Sequence, residues 1–219
     1  MSGNFLIDPI DFMKKNLVIV NYNSLGKTQQ DAGVQTMCLV KSAKKAKQHG
    51  AELDIYSLTR HSPRLPAKDV EAVFDAYWCP YEQNQTLHCM LGTEARYMFT
   101  ATMDGCSFGV GSQNNGVCRV AHSNEGTFGG SRENVYGTNG ARVFQHMEQA
   151  NRLKYDIPNL TGIIAPNAYQ MDYDGEYALT ATTFGIRNNS NTWEFYTQKY
   201  WKSGVWNPTY FLRTVDKHF

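Results

Sequence analysis

The chain carries five cysteines, at positions 38, 79, 89, 106 and 118. The odd number leaves at least one thiol unpaired in a monomer. Cys106 stands apart from the other four. It lies in Thr100-Ala101-Thr102-Met103-Asp104-Gly105-Cys106-Ser107-Phe108-Gly109, directly after a glycine and among small residues. Gly105 permits sharp backbone geometry and close approach by a substrate. His122 follows across Gly111-Ser112-Gln113-Asn114-Asn115-Gly116, a sequence suited to a hairpin loop. A register that opposes Cys106 and His122 brings their Cβ atoms to about 5 Å. A slip of one residue puts them on opposite faces, and the residues leave both registers open.

Cysteine and histidine together suit attack on an amide carbonyl. A free thiol, with a pKa of about 8.5, is mostly protonated at neutral pH. A neighbouring imidazole takes that proton and creates a thiolate. The imidazolium then protonates a leaving amine. A third polar group must hold the ring in the right tautomer, and Thr100, just upstream on the same strand, is a candidate. The tetrahedral oxyanion needs donors, for which backbone N–H groups near Cys106 are expected.

The other chemistry-bearing residues read as less specific. Cys118 and His122 have the spacing of half a metal site, and only His88-Cys89 is available as a second half. No zinc site and no cofactor are expected. His146 reads as a helix-face residue and His61 as surface. Gly126-Thr127-Phe128-Gly129-Gly130-Ser131 lacks the Lys-Ser/Thr ending of a phosphate loop. It reads as a loop near the active site, with Phe128, Asp104 and Gly105 as substrate-contacting residues. Trp193, Trp201 and Trp206 read as core or sheet-edge aromatics.

Four segments in order carry a resemblance. Thr100 and Cys106, separated by five residues of which the last is Gly105, and then Val120-Ala121-His122 resemble the active-site hairpin of the cytotoxic necrotizing factor catalytic domains, and still more that of the Burkholderia lethal factor-like glutamine deamidase toxins. Ala165-Pro166-Asn167-Ala168-Tyr169 is similar to the family segment that contributes an active-site tyrosine. Phe195-Tyr196 and Trp206-Asn207-Pro208-Thr209-Tyr210 are similar to its closing strands. The similarity spans roughly residues 90–215, and the first 85 residues show no match. It implies Cys106 as nucleophile, His122 as general acid/base, Thr100 as the residue that orients the histidine, and Tyr169 lining the site. It also implies a host protein as substrate, a Rho-type GTPase or a translation factor in the known relatives. One departure is clear: the family has Ser-Gly-Cys where this chain has Asp104-Gly105-Cys106. An inward carboxylate opposes thiolate formation; an outward one shapes substrate choice.

The elements that must position these residues read as α+β: an antiparallel β-sandwich or mixed sheet flanked by helices. Asp8-Pro9 caps a short helix running to Asn16. Leu17 to Tyr22, Val34 to Val40 and Ala51 to Leu58 read as strands. Ser24 to Gly33 reads as a loop. Lys41 to Lys47, ending at His49-Gly50, reads as a helical end with a solvated basic face. Pro63 and Pro66 break the chain, and Lys68 to Tyr77 reads as a helix. Val143, Phe144, Met147 and Ala150 give Asn139 to Tyr155 helical spacing. Gly162 to Ala165, Tyr177 to Ile186, Thr192 to Trp201 and Thr209 to Val215 are strand-like.

Length and composition set the frame. The 219 residues fit one catalytic domain over 1–219. Lys+Arg is 21 against Asp+Glu 20, which argues against a broad nucleic-acid surface. The longest apolar run, Leu17 to Val20, is far short of a membrane span. No Sec-type signal is visible at the N-terminus. The expectation is a monomeric secreted effector acting in the host cytoplasm, with no nucleic acid or membrane partner. A cysteine protease or transglutaminase on the same dyad, and a non-enzymatic β-rich interaction module with a buried Cys106, are the competing readings.

Overall fold

In a computed structural model the chain is described over residues 4–126, 139–170, 179–204 and 208–219, with only the backbone of 139–142. In chain order the elements are α1 (Pro9–Lys15), β1 (Asn16–Val20), α2 (Tyr22–Leu25), β2 (Gly33–Gln48), β3 (Ala51–Arg60), β4 (Val70–Cys79), β5 (Thr86–Leu91), β6 (Tyr97–Thr100), β7 (Ser107–Asn114), β8 (Val117–Ser123), α3 (Asn139–Asp156), β9 (Leu160–Ile164), α4 (Pro166–Gln170), β10 (Thr180–Arg187), β11 (Trp193–Ser203) and β12 (Thr209–Lys217). Short 3-10 turns cover Gln29–Asp31 and Ala67–Asp69. The protein is α+β and mostly β.

The larger sheet has eight strands in the order β1-β3-β2-β12-β11-β10-β6-β4, and β2 also pairs with β4. That extra pairing closes a six-stranded ring through β2, β12, β11, β10, β6 and β4. The sheet is mixed, because β1–β3, β4–β6 and β12–β2 run parallel. Aromatic side chains fill its interior. Phe5 stacks on Phe74 at 4.8 Å and meets Phe12 of α1 edge to face at 5.6 Å. Asp8 accepts from the Asp11 backbone N–H at 2.9 Å and Pro9 occupies the first turn, so α1 starts where its cap dictates. The free edge of β1 is completed by side chains rather than by a strand. Gln198 accepts from Val18 N at 2.8 Å and donates to the carbonyls of Met13 and Asn16, while Thr182 donates to Val18 O at 2.9 Å. Four of the eight strands (β1–β4) come from the first 79 residues.

The smaller sheet is antiparallel, in the order β5-β8-β7-β9. Strand alternation gives it two different faces. Cys106, Phe108, Val110, Cys118 and Val120 pack against Tyr77, Met98, Ala181, Trp193 and Phe195 of the larger sheet. Ala121 faces α3, where it meets Leu153 and Ile157. Gly109 lets α3 come close: a Cβ would lie 2.8 Å from Ile157 Cδ1 and 2.9 Å from Leu153 Cδ2, and those side-chain ends would have to shift.

Two expected helices are strands. Residues 41–47 continue β2 and turn into β3 at His49 and Gly50, both at positive φ (48° and 85°), a two-residue hairpin turn. Lys41 and Lys45 reach across to Asp54 on β3, with a bulge between them; the four lysines are exposed, as a solvated face should be. Residues 70–79 form β4, with Ala72, Phe74 and Ala76 buried and Glu71, Val73 and Asp75 exposed. That period of two marks a half-buried strand. Residues 22–25 form α2 rather than the end of β1 or a loop, and β5 was not anticipated. The 111–116 loop shrinks to Asn115-Gly116 (φ 49° and 81°), the usual two-residue Asn-Gly turn. The helix over 139–156 is present, but its buried stripe is Gln149, Leu153 and Ile157, while Val143, Phe144 and Met147 are more than half exposed.

Candidate active site

Cys106 ends the turn between β6 and β7. That turn is pinned from several sides. Met103 makes a two-way backbone bridge to Ala181 of β10, at 2.8 Å each way. Gly105 sits at φ +146° with open space at its missing Cβ, so the constraint there is backbone conformation and not crowding. Tyr169, on α4, accepts from Gly105 N at 2.9 Å and donates to Cys106 O at 2.8 Å. Gln149, on α3, donates to Gly105 O at 2.9 Å and accepts from Ser107 Oγ at 2.6 Å. Two helices thus hold the backbone on either side of the thiol.

The hairpin takes neither of the two registers considered above. Ser107 pairs with Ser123 and Phe108 with His122. Extending the ladder by one step sets Cys106 opposite Asn124, with His122 two residues along on the same face. Diagonal neighbours of this kind lie about 7–8 Å apart at Cα and somewhat less at Cβ. The residue directly over the sulfur is Asn124, whose Nδ2 donates to Cys106 Sγ at 3.1 Å. Its orientation is set by its own oxygen, which accepts from Asn84 N at 3.2 Å and Gly126 N at 3.1 Å.

His122 reaches across to the larger sheet. Its Nδ1 lies 2.7 Å from Thr100 Oγ1. Thr100 donates its hydroxyl proton to Cys79 O at 2.8 Å. A hydroxyl has one proton, so Thr100 must accept from His122 Nδ1–H. The ring is thereby held in the tautomer with a bare Nε2, and that atom is buried with no partner among the described residues. The ring face lies 5.0 Å from half-buried Tyr81.

Burial governs the charges. It pushes the Cys106 thiol up to about 12; the Asn124 donor pulls it back, exposed Asp104 adds a smaller upward push, and the Asp104 backbone N–H opposes it. Burial also lowers His122 to about 3. The resting pair is neutral thiol and neutral imidazole. Cys89 and Cys118 are likewise pushed to about 12, by burial first. Burial alone therefore does not set Cys106 apart from its neighbours.

These shifts set a stability window. His122 is depressed in the folded state, so its contribution is present above its ordinary 6.5 and is lost as pH falls toward about 3. The buried thiols are raised, so theirs is present below their ordinary 9.0 and is lost as pH rises toward about 12. Urea midpoints should form a plateau between these bounds and fall on both sides. In His122→Ala the acid limb should shift to lower pH; an unchanged acid limb would show that His122 is not buried neutral.

The structure brings Thr100 to His122, and Tyr169 to the Gly105–Cys106 turn. Asp104 is exposed, and its charge still acts on the Cys106 thiol. Gly105 N–H is already taken by Tyr169, so it is not a spare oxyanion donor. Phe128, most of the glycine loop and Trp206 lie outside the described residues. All five cysteines are free and buried; Cys118 donates to Gly111 O at 3.4 Å. His61 is exposed, Trp193 is buried and donates to Gly116 O at 2.8 Å, and Trp201 stacks on Phe211 at 3.9 Å. Asn124, Gln149 and Tyr81 are site residues that the sequence reading missed. A signal existed for two of them. Asn124 follows His122 by two, hence on the same strand face. Gln149 is a polar residue in line with Leu153 and Ile157. No protein-family model matches this chain, and no curated protein matches it.

Proposed function

We propose that this protein is a toxin-like protein glutamine deamidase, with a deamidase-toxin-like fold, that converts a glutamine of a host protein to glutamate. The observation that carries the reading is the relay from Cys79 O through Thr100 to His122, which leaves Nε2 as a bare base on the strand face that Cys106 shares. In the proposed reaction Nε2 takes the thiol proton and the sulfur attacks the carboxamide carbon. The C–N bond breaks, and ammonia leaves with the proton from His122. A water then gives its proton to Nε2 and attacks the thioester. The C–S bond breaks, the proton returns to sulfur, and glutamate is released. Binding and chemistry need only the chain's own groups. The protein acts as a secreted effector in the host cytoplasm, and the substrate is a GTPase or translation factor.

A second reading is favoured by burial: Cys106 is 1% exposed, as a structural thiol in a β-rich interaction module would be. Competitive labelling with iodoacetamide at neutral pH, resolved by peptide mass spectrometry, separates the two. The deamidase reading expects Cys106 to react far faster than Cys89 and Cys118, whose burial is comparable. Uniformly slow labelling of all five thiols would reject every enzymatic reading, the protease and transglutaminase alternatives included.

A further inference from the structure

We propose that Asn124 is a further catalytic residue, whose side-chain amide steadies the Cys106 thiolate and then donates to the oxyanion of each tetrahedral intermediate. The oxyanion part rests on the deamidase reading; the thiolate part rests on geometry alone. Asn124 is 8% exposed, and its Nδ2 lies 3.1 Å from the sulfur that would become negative. Its oxygen is fixed by two backbone N–H groups, so the amide cannot turn its donor away without leaving both unpaired. Its backbone N–H is also held, by Gln85 O at 3.0 Å.

Three other donor groups around the turn each already make one hydrogen bond. Tyr169 spends its one proton on Cys106 O, Gly105 N–H is bonded to Tyr169, and Gln149 Nε2 is bonded to Gly105 O. A carboxamide nitrogen carries two hydrogens. Among the described residues Asn124 directs one at Sγ, which leaves the other for an oxygen on the carbon that the sulfur attacks. As the C–S bond forms, the carbonyl π pair moves onto oxygen and the thiol proton sits on His122 Nε2. Asn124 exchanges no atom and gains strength as charge grows on its two acceptors, which is what selective transition-state stabilisation requires. Among the described residues, the titratable groups around the thiol are Asp104 on its own turn, His122 on β8 and Tyr169 on α4.

Asn124→Asp is the test. It keeps an oxygen for Asn84 N and Gly126 N and replaces the donor with an anionic oxygen beside the sulfur. The pH profile of Cys106 labelling by iodoacetamide should inflect at higher pH than in the wild type. Its kcat for glutamine-to-glutamate conversion should fall about 10²–10³-fold with KM little changed. Asn124→Ala should shift the inflection in the same direction and by less, since it removes the donor without adding charge; its thermal midpoint records any structural cost separately. A wild-type inflection with wild-type kcat in Asn124→Asp would overturn the proposal. If the wild type converts no glutamine but Asn124→Asp still raises the inflection, the deamidase reading falls and the contact to the thiolate stands. A wild-type Cys106 that resists labelling until the protein unfolds would overturn both.

Discussion

On the proposed deamidase mechanism, replacing His122 with alanine is expected to lower kcat for glutamine deamidation by about 10⁴-fold, the upper end for general acid–base catalysis, while KM changes little. In the proposed mechanism three proton movements run through Nε2: removal from the thiol, delivery to ammonia and removal from water. No other described residue offers a bare nitrogen on this face. The substitution should also equalise the thiols. Cys89, Cys106 and Cys118 are all raised to about 12, so on the proposed mechanism the excess reactivity of Cys106 comes from the imidazole together with the Asn124 donor. In His122→Ala, Cys106 labelling should drop toward the level of the other two. The fold should tolerate the change, because Thr100 keeps its donation to Cys79 O and what remains is a cavity. Single-turnover assays with labelling on the same sample check both parts, and a variant that retains activity would remove His122 from the mechanism.

The second large effect is expected at Thr100→Val. The shape is kept and the hydroxyl is lost. Cys79 O loses its donor and His122 Nδ1–H loses its acceptor, both in a fully buried setting. Each orphaned group costs about 1–3 kcal/mol, so the urea midpoint should fall measurably. Activity should fall further than stability alone explains, because the ring is then free to adopt the tautomer with hydrogen on Nε2, which cannot accept the thiol proton. Loss of tautomer control in a comparable relay costs about 10⁴ in kcat, and about 10³–10⁴ is expected here. Thr100→Ser supplies the control: it restores the hydroxyl and should recover most of the rate. If Thr100→Ser and Thr100→Val are equally impaired, packing and not the hydroxyl is what matters.

The sequence made some of this legible for physical reasons that differ by element. The cap at Asp8-Pro9, the Asn115-Gly116 turn and the Thr-, Tyr- and Trp-rich strands near the C-terminus are local signals, and the structure has each of these elements. Residues 41–47 misled because a run of lysines satisfies a solvated helix and a solvated strand equally; Asp54, which pairs with two of them, meets them only once the β2–β3 hairpin forms. Residues 70–79 misled although their alternation was visible. In α3 the apolar positions Val143, Phe144 and Met147 suggested the buried face, but the face is set by what α3 must reach, and Gln149 goes inside to hold the Cys106 turn. At the site, residue types announced Cys106 and His122, and position along the strand suggested Thr100. The diagonal register, and hence Asn124 over the sulfur, depends on where the strand pairing begins. No local sequence fixes that.

The central claim is tested most directly by incubating the protein with a lysate of candidate host cells and reading its peptides by mass spectrometry, beside a Cys106→Ser control. The account predicts a glutamine-to-glutamate mass shift at a defined site in one or a few proteins, without chain cleavage, that disappears in Cys106→Ser. New peptide termini, isopeptide crosslinks to added amines, or a shift that persists in Cys106→Ser would contradict it.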